Sequence, residues 1–206
     1  GYLPLALINY LARLGHHYED ARLMSYQELA QGFLLDRLGR APARFDTDQL
    51  THWQKEAIDT LDEAAFWRWA GAQSEAQVPA AQRTAFVDTV RHNVVFPAQV
   101  KDWAERLFGD AYEFNGEAKQ VLAQAGAAFF AAARDTIDDS APDFKILAAR
   151  IKEATGAKGK ALFQPVRVAL TGELDGPEMG KLVALFSPPR LRARFEAACR
   201  AAGTPI

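Results

Sequence analysis

The 206 residues carry 24 Lys and Arg against 26 Asp and Glu, a formal net charge of −2, with 49% hydrophobic and 24% charged residues. That is ordinary for a globular protein of one large or two small domains. The absence of any run of about 18 apolar residues excludes a membrane-spanning helix, and the single cysteine, Cys199, excludes an internal disulfide or a Cys-rich zinc site. A reducing cytoplasm is the expected compartment. The opening Gly1-Tyr2-Leu3-Pro4 has neither a basic segment nor a cleavage site, so it is not read as a secretory signal. It also lacks an initiator Met, which leads to the expectation of a processed chain or a piece of a longer one.

The pattern is helical nearly throughout, and the fold class expected is all-α. Leu7, Ile8, Leu11 and Leu14 mark one face of a first helix, with Pro4 in its first turn and Gly15 at its end. Ser25 and Glu28 form a capping-box spacing that opens a helix through Leu29, Phe33 and Leu34. Thr60 and Glu63 repeat that spacing before Phe66, Trp67 and Trp69. Pro79 begins a long helix carrying Phe86, Val90 and Val94, which Pro97 interrupts while starting another with Val100, Trp103 and Leu107 inward. Residues 116–137 read as one long Ala-rich helix. Loops are placed at Gly39–Pro42, Asp138–Pro142 and Gly156–Lys160. The stretch Val166–Leu170 has strand-like composition but no partner strand, so β content is expected to be negligible.

The distribution of charge says more than its total. Residues 1–140 hold 13 Lys and Arg and 20 Asp and Glu, whereas residues 141–206 hold 11 and 6. A basic final third on an acidic body fits one face for a polyanion, or simply uneven surface charge. The histidines, His16, His17, His52 and His92, form no metal-ligand spacing, and the His16-His17 pair beside Glu19 and Asp20 reads as a solvated turn. No phosphate-binding glycine motif or nucleophile elbow occurs, and no acidic pair stands out as catalytic, so neither catalytic nor metal-binding residues are expected.

The most unusual stretch is residues 158–172, KGKALFQPVRVALTG. Lys158 and Lys160 lie in a Gly-bearing loop, and an apolar segment then presents Gln164 and Arg167. A short loop through Gly176 leads to a helix starting at Pro177. A helix N-terminus leaves backbone N–H groups free for phosphate or base-edge contacts, and Arg167 has the planar fork suited to a base. The other reading is an ordinary helix–loop–helix with a core Arg salt bridge. Trp53, Trp67, Trp69 and Trp103 at helical spacing are read as core before they are read as base-stacking platforms.

These same residues resemble a known family. Residues 1–15, GYLPLALINYLARLG, resemble the segment just downstream of the KMSKS-type signature in glutamyl-tRNA synthetases. Residues 33–46, FLLDRLGRAPARFD, are similar to that family's "sPArFD" loop, and residues 158–172 to its "GKkGKaLFmPlRvALTG" block. Three separated blocks in the right order span nearly the whole chain. The resemblance implies the helical end of a stem-contact domain at residues 1–58. A two-part α-helical cage that binds the anticodon follows, at residues 59–112 and 113–206. The catalytic domain, with its ATP and Mg sites, is outside the chain, so no cofactor and no activity are expected here. The implied partner is tRNA(Glu), with tRNA(Gln) as a second candidate, bound by a monomer away from any membrane. By the same likeness Arg37, Arg40 and Arg44 lie near the inner side of the tRNA. Asn93, Phe96, Lys158, Lys160, Gln164, Arg167, Gly176, Pro177, Glu178 and Met179 lie near the anticodon. Two departures stand out. Gly39-Arg40-Ala41 replaces the usual Ser-Lys-Ser, and the corner Asn93-Val94-Val95-Phe96-Pro97 lacks the Arg that members rejecting tRNA(Gln) often carry. Relaxed or differently encoded discrimination is therefore expected. A freestanding helical RNA-binding or interaction module is the alternative.

Overall fold

The computed structural model describes residues 1–39, 42, 44–109 and 113–203, which form thirteen α-helices and three short 3-10 turns. Among these described residues the only β-type pairing is an isolated antiparallel bridge between His16 and Leu38, so the fold is all-α. No helix among them is long and apolar enough to cross a membrane. The chain forms two compact units, one of Gly1–Ala76 with Arg91–Lys101, the other of Gln77–Val90 with Asp102–Ile206. These edges follow packing, whereas the boundaries expected after residues 58 and 112 come from the sequence pattern together with the family resemblance.

In the first unit, α1 (Pro4–Gly15) packs on α3 (Thr47–Asp59). Pro4 enters at the first turn, where its missing N–H costs nothing. The buried side of α1 is Ala6, Asn9 and Tyr10, not the leucine face, and Leu7, Ile8 and Leu11 are exposed. Ala6 and Tyr10 meet Leu50, Trp53 and Ala57, while the Tyr10 hydroxyl accepts the Asp46 N–H at 2.6 Å. Asp46 in turn caps α3. Small Ala6 lets the helices approach, which a leucine there would prevent. Nine of the eleven exposed large hydrophobics among the described residues fall between Leu7 and Phe45.

The Ser25–Glu28 capping box forms as expected, but α2 (Tyr26–Gln31) stops before Phe33. Arg22 and the cap together hold the Glu28 carboxyl down to about 2. The next helix, α4 (Glu63–Ala70), is capped by Asp62 rather than Thr60. Thr60 instead ends α3, its hydroxyl donating to Ala57 O. The turn assigned to His16 is not solvated either. His16 is buried, its Nε2 sits 3.0 Å from both the Leu34 N and O, and its ring stacks on Phe33. α5 (Ala72–Gln77) closes this stretch.

In the second unit the helix expected from Pro79 is broken into a 3-10 turn at Ala80–Gln82, α6 (Arg83–Val90) and, in the first unit, a second turn at Arg91–Asn93. α7 (Pro97–Phe108) starts at Pro97 and buries Val100, Trp103 and Leu107 as expected. The Ala-rich stretch is two helices, α8 (Gly116–Ala125) and α9 (Ala127–Asp135), because Gly126 takes φ +80 and ends the first. Then come α10 (Phe144–Thr155), α11 (Lys160–Thr171), α12 (Met179–Ala184) and α13 (Pro188–Ala202). α13 packs on α8 and α9, α11 on α8 and α13, and α10 on α9 and α11. Leu122, Phe130, Ile151, Leu170, Leu191 and Phe195 fill the core. The last carbonyls of α7 would be orphaned without partners. Arg190 donates to Leu107 O and Gly109 O, each at 3.0 Å, and buried Arg194 donates to Arg106 O.

Asn9 offers a direct test of the first unit. Its amide donates to Leu5 O and Met24 O and accepts from Met24 N and Arg13 Nη1, at 2.7–2.9 Å. Asn9→Leu leaves both polar groups of Met24 without their partner. It is expected to lower the unfolding free energy in urea titrations by about 1–3 kcal/mol; an unchanged midpoint would mean that water replaces the amide at no cost.

Candidate nucleic-acid interface

Between α11 and α12 the chain makes a loop whose shape follows from one glycine. Gly176 has φ +143, and a Cβ built on it would lie 2.6 Å from Trp103 Cη2. The indole edge of Trp103 therefore lies directly against the backbone there, and only glycine fits. Buried Pro177 follows, and its carbonyl accepts from Arg167 Nη1 at 2.9 Å. The other end of the loop is tied down as well. Arg106 pairs with Glu173 at 2.5 Å and donates to Thr171 O, while the buried Thr171 hydroxyl accepts the Glu173 N–H.

α11 carries the polar residues singled out from the sequence. Gly159, with φ +55, turns the chain into the helix, and Gly172, with φ +75, ends it. The helix passes through Pro165 in its second turn, where the lost N–H would have reached back only to exposed Ala161. Its buried side is Leu162, Val166, Val168, Ala169 and Leu170, and its outer side is Lys160, Phe163, Gln164 and Arg167. The strand-like run Val166–Leu170 is therefore part of the second half of a helix, buried except at Arg167. Lys158 and Lys160 are exposed, and Gln164 and Arg167 are half-buried. Burial lowers the pKa of the Arg167 guanidinium, with Asp175 opposing, but an arginine stays charged regardless. Among the described residues its one side-chain hydrogen bond is to Pro177 O, so a carbonyl contact stands where the alternative reading put a core salt bridge.

The helix expected at Pro177 begins at Met179. Glu178 is its N-cap, and the carboxylate accepts the Gly180 N–H at 3.2 Å, so one of the backbone donors assigned to a ligand is already used. Met179 is buried and Glu178 exposed. Lys160, Gln164, Arg167, Gly176, Pro177, Glu178 and Met179 thus lie on one helix and the loop held to it in the second unit. Asn93 and Phe96 belong to the first unit. There Asn93 is exposed at the end of a 3-10 turn, and Phe96 makes an edge-to-face contact with Tyr2 at 5.0 Å. Arg37 and Arg44 also belong to the first unit; Arg37 pairs with Glu19 at 2.7 Å and Arg44 is exposed. Arg40 lies outside the described residues. Sequence reasoning did not single out Arg106 or Phe163. The helical spacing of Lys160, Phe163, Gln164 and Arg167 would have found Phe163.

Residues 80–199 match the family described as Anticodon binding domain. The chain is 49% identical over 196 residues to glutamate–tRNA ligase 2 of Nitrosococcus oceani and 45% identical over 195 residues to glutamate–tRNA ligase 1 of Methylococcus capsulatus. Each alignment covers 95% of this chain and 42% of the relative, so the chain spans less than half the length of these curated relatives. In fold it is similar to a crystal structure of a glutamate tRNA ligase from Elizabethkingia meningosepticum, with a TM-score of 0.78 and 22% identity. That likeness covers 97% of this chain and 41% of the other.

The tight seat of Gly176 is testable without any ligand. Gly176→Ala meets both the Trp103 ring and an unfavourable φ, and it is expected to cost at least about 1 kcal/mol in thermal denaturation. Gly15→Ala, where a Cβ meets nothing within 4 Å, is expected to be neutral or mildly stabilising. Equal effects at the two positions would show that the loop yields.

Proposed function

The chain belongs to the anticodon-binding-domain family, and from that premise we propose that it is the tRNA-reading part of a glutamate–tRNA ligase. The partner proposed is tRNA(Glu), bound by a single copy of the chain in the cytoplasm. Attachment of glutamate, with its need for ATP and Mg, is assigned to parts of the ligase outside these residues. The observation that carries the reading is the Arg167–Pro177 contact. It holds a solvent-facing helix and a short, glycine-seated loop side by side, inside the segment that matches the family. A fixed loop beside a forked cation supports recognition of unpaired bases, which expose their hydrogen-bonding edges and faces. Lys158 and Lys160 supply positive charge for the phosphates at the start of the same helix.

Discrimination between tRNA(Glu) and tRNA(Gln) is proposed to be relaxed. Phe96, at the corner where members of the family that reject tRNA(Gln) often carry an Arg, has a side chain with no donor or acceptor for a base edge, and it already packs on Tyr2. Titrations of the chain with both tRNAs are expected to give affinities within about tenfold, or roughly 1.4 kcal/mol. A larger preference overturns the relaxed reading while leaving tRNA binding intact.

Arg167→Ala is expected to weaken binding of tRNA(Glu) by about 1–3 kcal/mol, and Lys158→Ala to flatten the dependence of log Kd on log salt. Arg167→Ala binding as tightly as the unaltered chain, with the fold intact, would make Arg167 a loop anchor only. No binding of tRNA by the unaltered chain would overturn the proposed function itself.

A further inference from the structure

Phe163 is 45% exposed, yet it sits in the outer face of a well-packed helix. Only Ile146 shares that status among the described large hydrophobics of the second unit. An exposed phenyl ring leaves apolar surface in water, so its setting matters. On α11 it lies one turn after Lys160 and one turn before Arg167, positions that face the same way on a helix. Gln164 adjoins it. Between Gly156 and Arg167 there are three cations, Lys158, Lys160 and Arg167, and no carboxylate. One side of the ring is supported by Phe144, the first residue of α10, with centroids 5.8 Å apart and planes at 48°.

A supported, half-open aromatic ring in a row of cations is the arrangement that single-stranded nucleic acids use for stacking. We propose that Phe163 is the stacking platform for an unpaired RNA base, with Lys160 and Arg167 flanking it along the strand. This rests on the tRNA-reading function proposed above and deepens it by adding a residue that neither the resemblance nor the loop geometry had singled out. Stacking needs only a base's flat face, so the platform is indifferent to base identity.

The test uses the 206-residue chain and an anticodon stem–loop RNA with 2-aminopurine in its loop. The unaltered chain is expected to bind and to quench the 2-aminopurine fluorescence. Phe163→Ala is expected to raise Kd about tenfold or more, the range for one lost base stack, and to abolish the quenching. Phe163→Trp should retain both, whereas Phe163→Leu, apolar but without a π face, should not. Because no charge changes, the salt dependence of binding should keep its slope. Circular dichroism melts of the variants are expected to coincide with that of the unaltered chain.

Equal affinity for Phe163→Ala, or full function in Phe163→Leu, overturns the stacking role while the tRNA-reading function stands. A variant that loses affinity only in proportion to lost thermal stability overturns it as well. Failure of the unaltered chain to bind the RNA removes the functional reading and this inference together.

Discussion

The contact between the Trp103 edge and Gly176 sets the geometry of everything around α11. With no Cβ at Gly176, the chain can pass over the indole and place the Pro177 carbonyl within reach of Arg167. Arg167 is thereby anchored through Nη1 to the loop, while the side chain as a whole stays half-buried. Trp103 itself sits on α7, whose final carbonyls are filled by Arg190 and Arg194 from α13. A helix end on the far side of the sequence therefore fixes the floor on which the loop rests. Arg106, one turn after Trp103, then ties Glu173 and Thr171 to the same helix. Loop, floor and guanidinium form one mechanical unit, a preorganised arrangement that spares the cost of ordering on binding.

The charge asymmetry takes on a different meaning once partners are known. The final third of the chain is basic, but much of that charge works internally. Arg190 and Arg194 satisfy carbonyls, Arg150 and Arg192 clamp Asp138 and Asp139, and Lys181 reaches Asp88 O. Exposed pairs of this kind contribute little energy, yet they remove the cations from the pool that meets a polyanion. Lys158 and Lys160 remain exposed, one on each side of Gly159 at the start of α11. A net charge count would have spread the attraction over the whole region; in the structure Lys145 and Lys152 on α10 are exposed as well, so these exposed lysines gather on α10 and at the start of α11.

What the sequence made legible, and what it did not, divides along physical lines. Pro4, the Ser25–Glu28 box and Pro97 set helix starts through local bonding, and local bonding is readable from a few residues. Thr60 failed because Asp62 competes for the same cap and an acid at an N-terminus is favoured by the helix dipole. The break at Gly126 was hidden in an Ala-rich run, where composition favours helix on both sides. The outward leucines of α1 were missed for another reason: periodicity identifies an apolar face but not which face meets a neighbour. That choice was made by Ala6, Asn9 and Tyr10, through a close helix approach and two buried polar partners. At the site, residues 158–172 were conspicuous as sequence, but the loop's floor was not. Trp103 lies 73 positions before Gly176, and nothing local connects them.

The two kinds of recognition proposed for the outer face of α11 complement each other. A guanidinium fork discriminates because its donors must find acceptors at fixed positions, so a wrong base leaves it unpaired. A phenyl ring gains from any base of sufficient area and penalises none. Selectivity from Arg167 therefore requires that the base be presented at a set height and angle, and a stacked neighbour fixes both. Placing Phe163 one turn from Arg167 supplies that reference on the same rigid element, whereas on a separate loop the two would drift independently. The same logic bears on Phe96. A ring at that corner holds the chain by packing on Tyr2 but carries no code. On the function proposed above, sequence selectivity is assigned to the second unit, to Arg167 and the Gly176–Met179 loop held beside it.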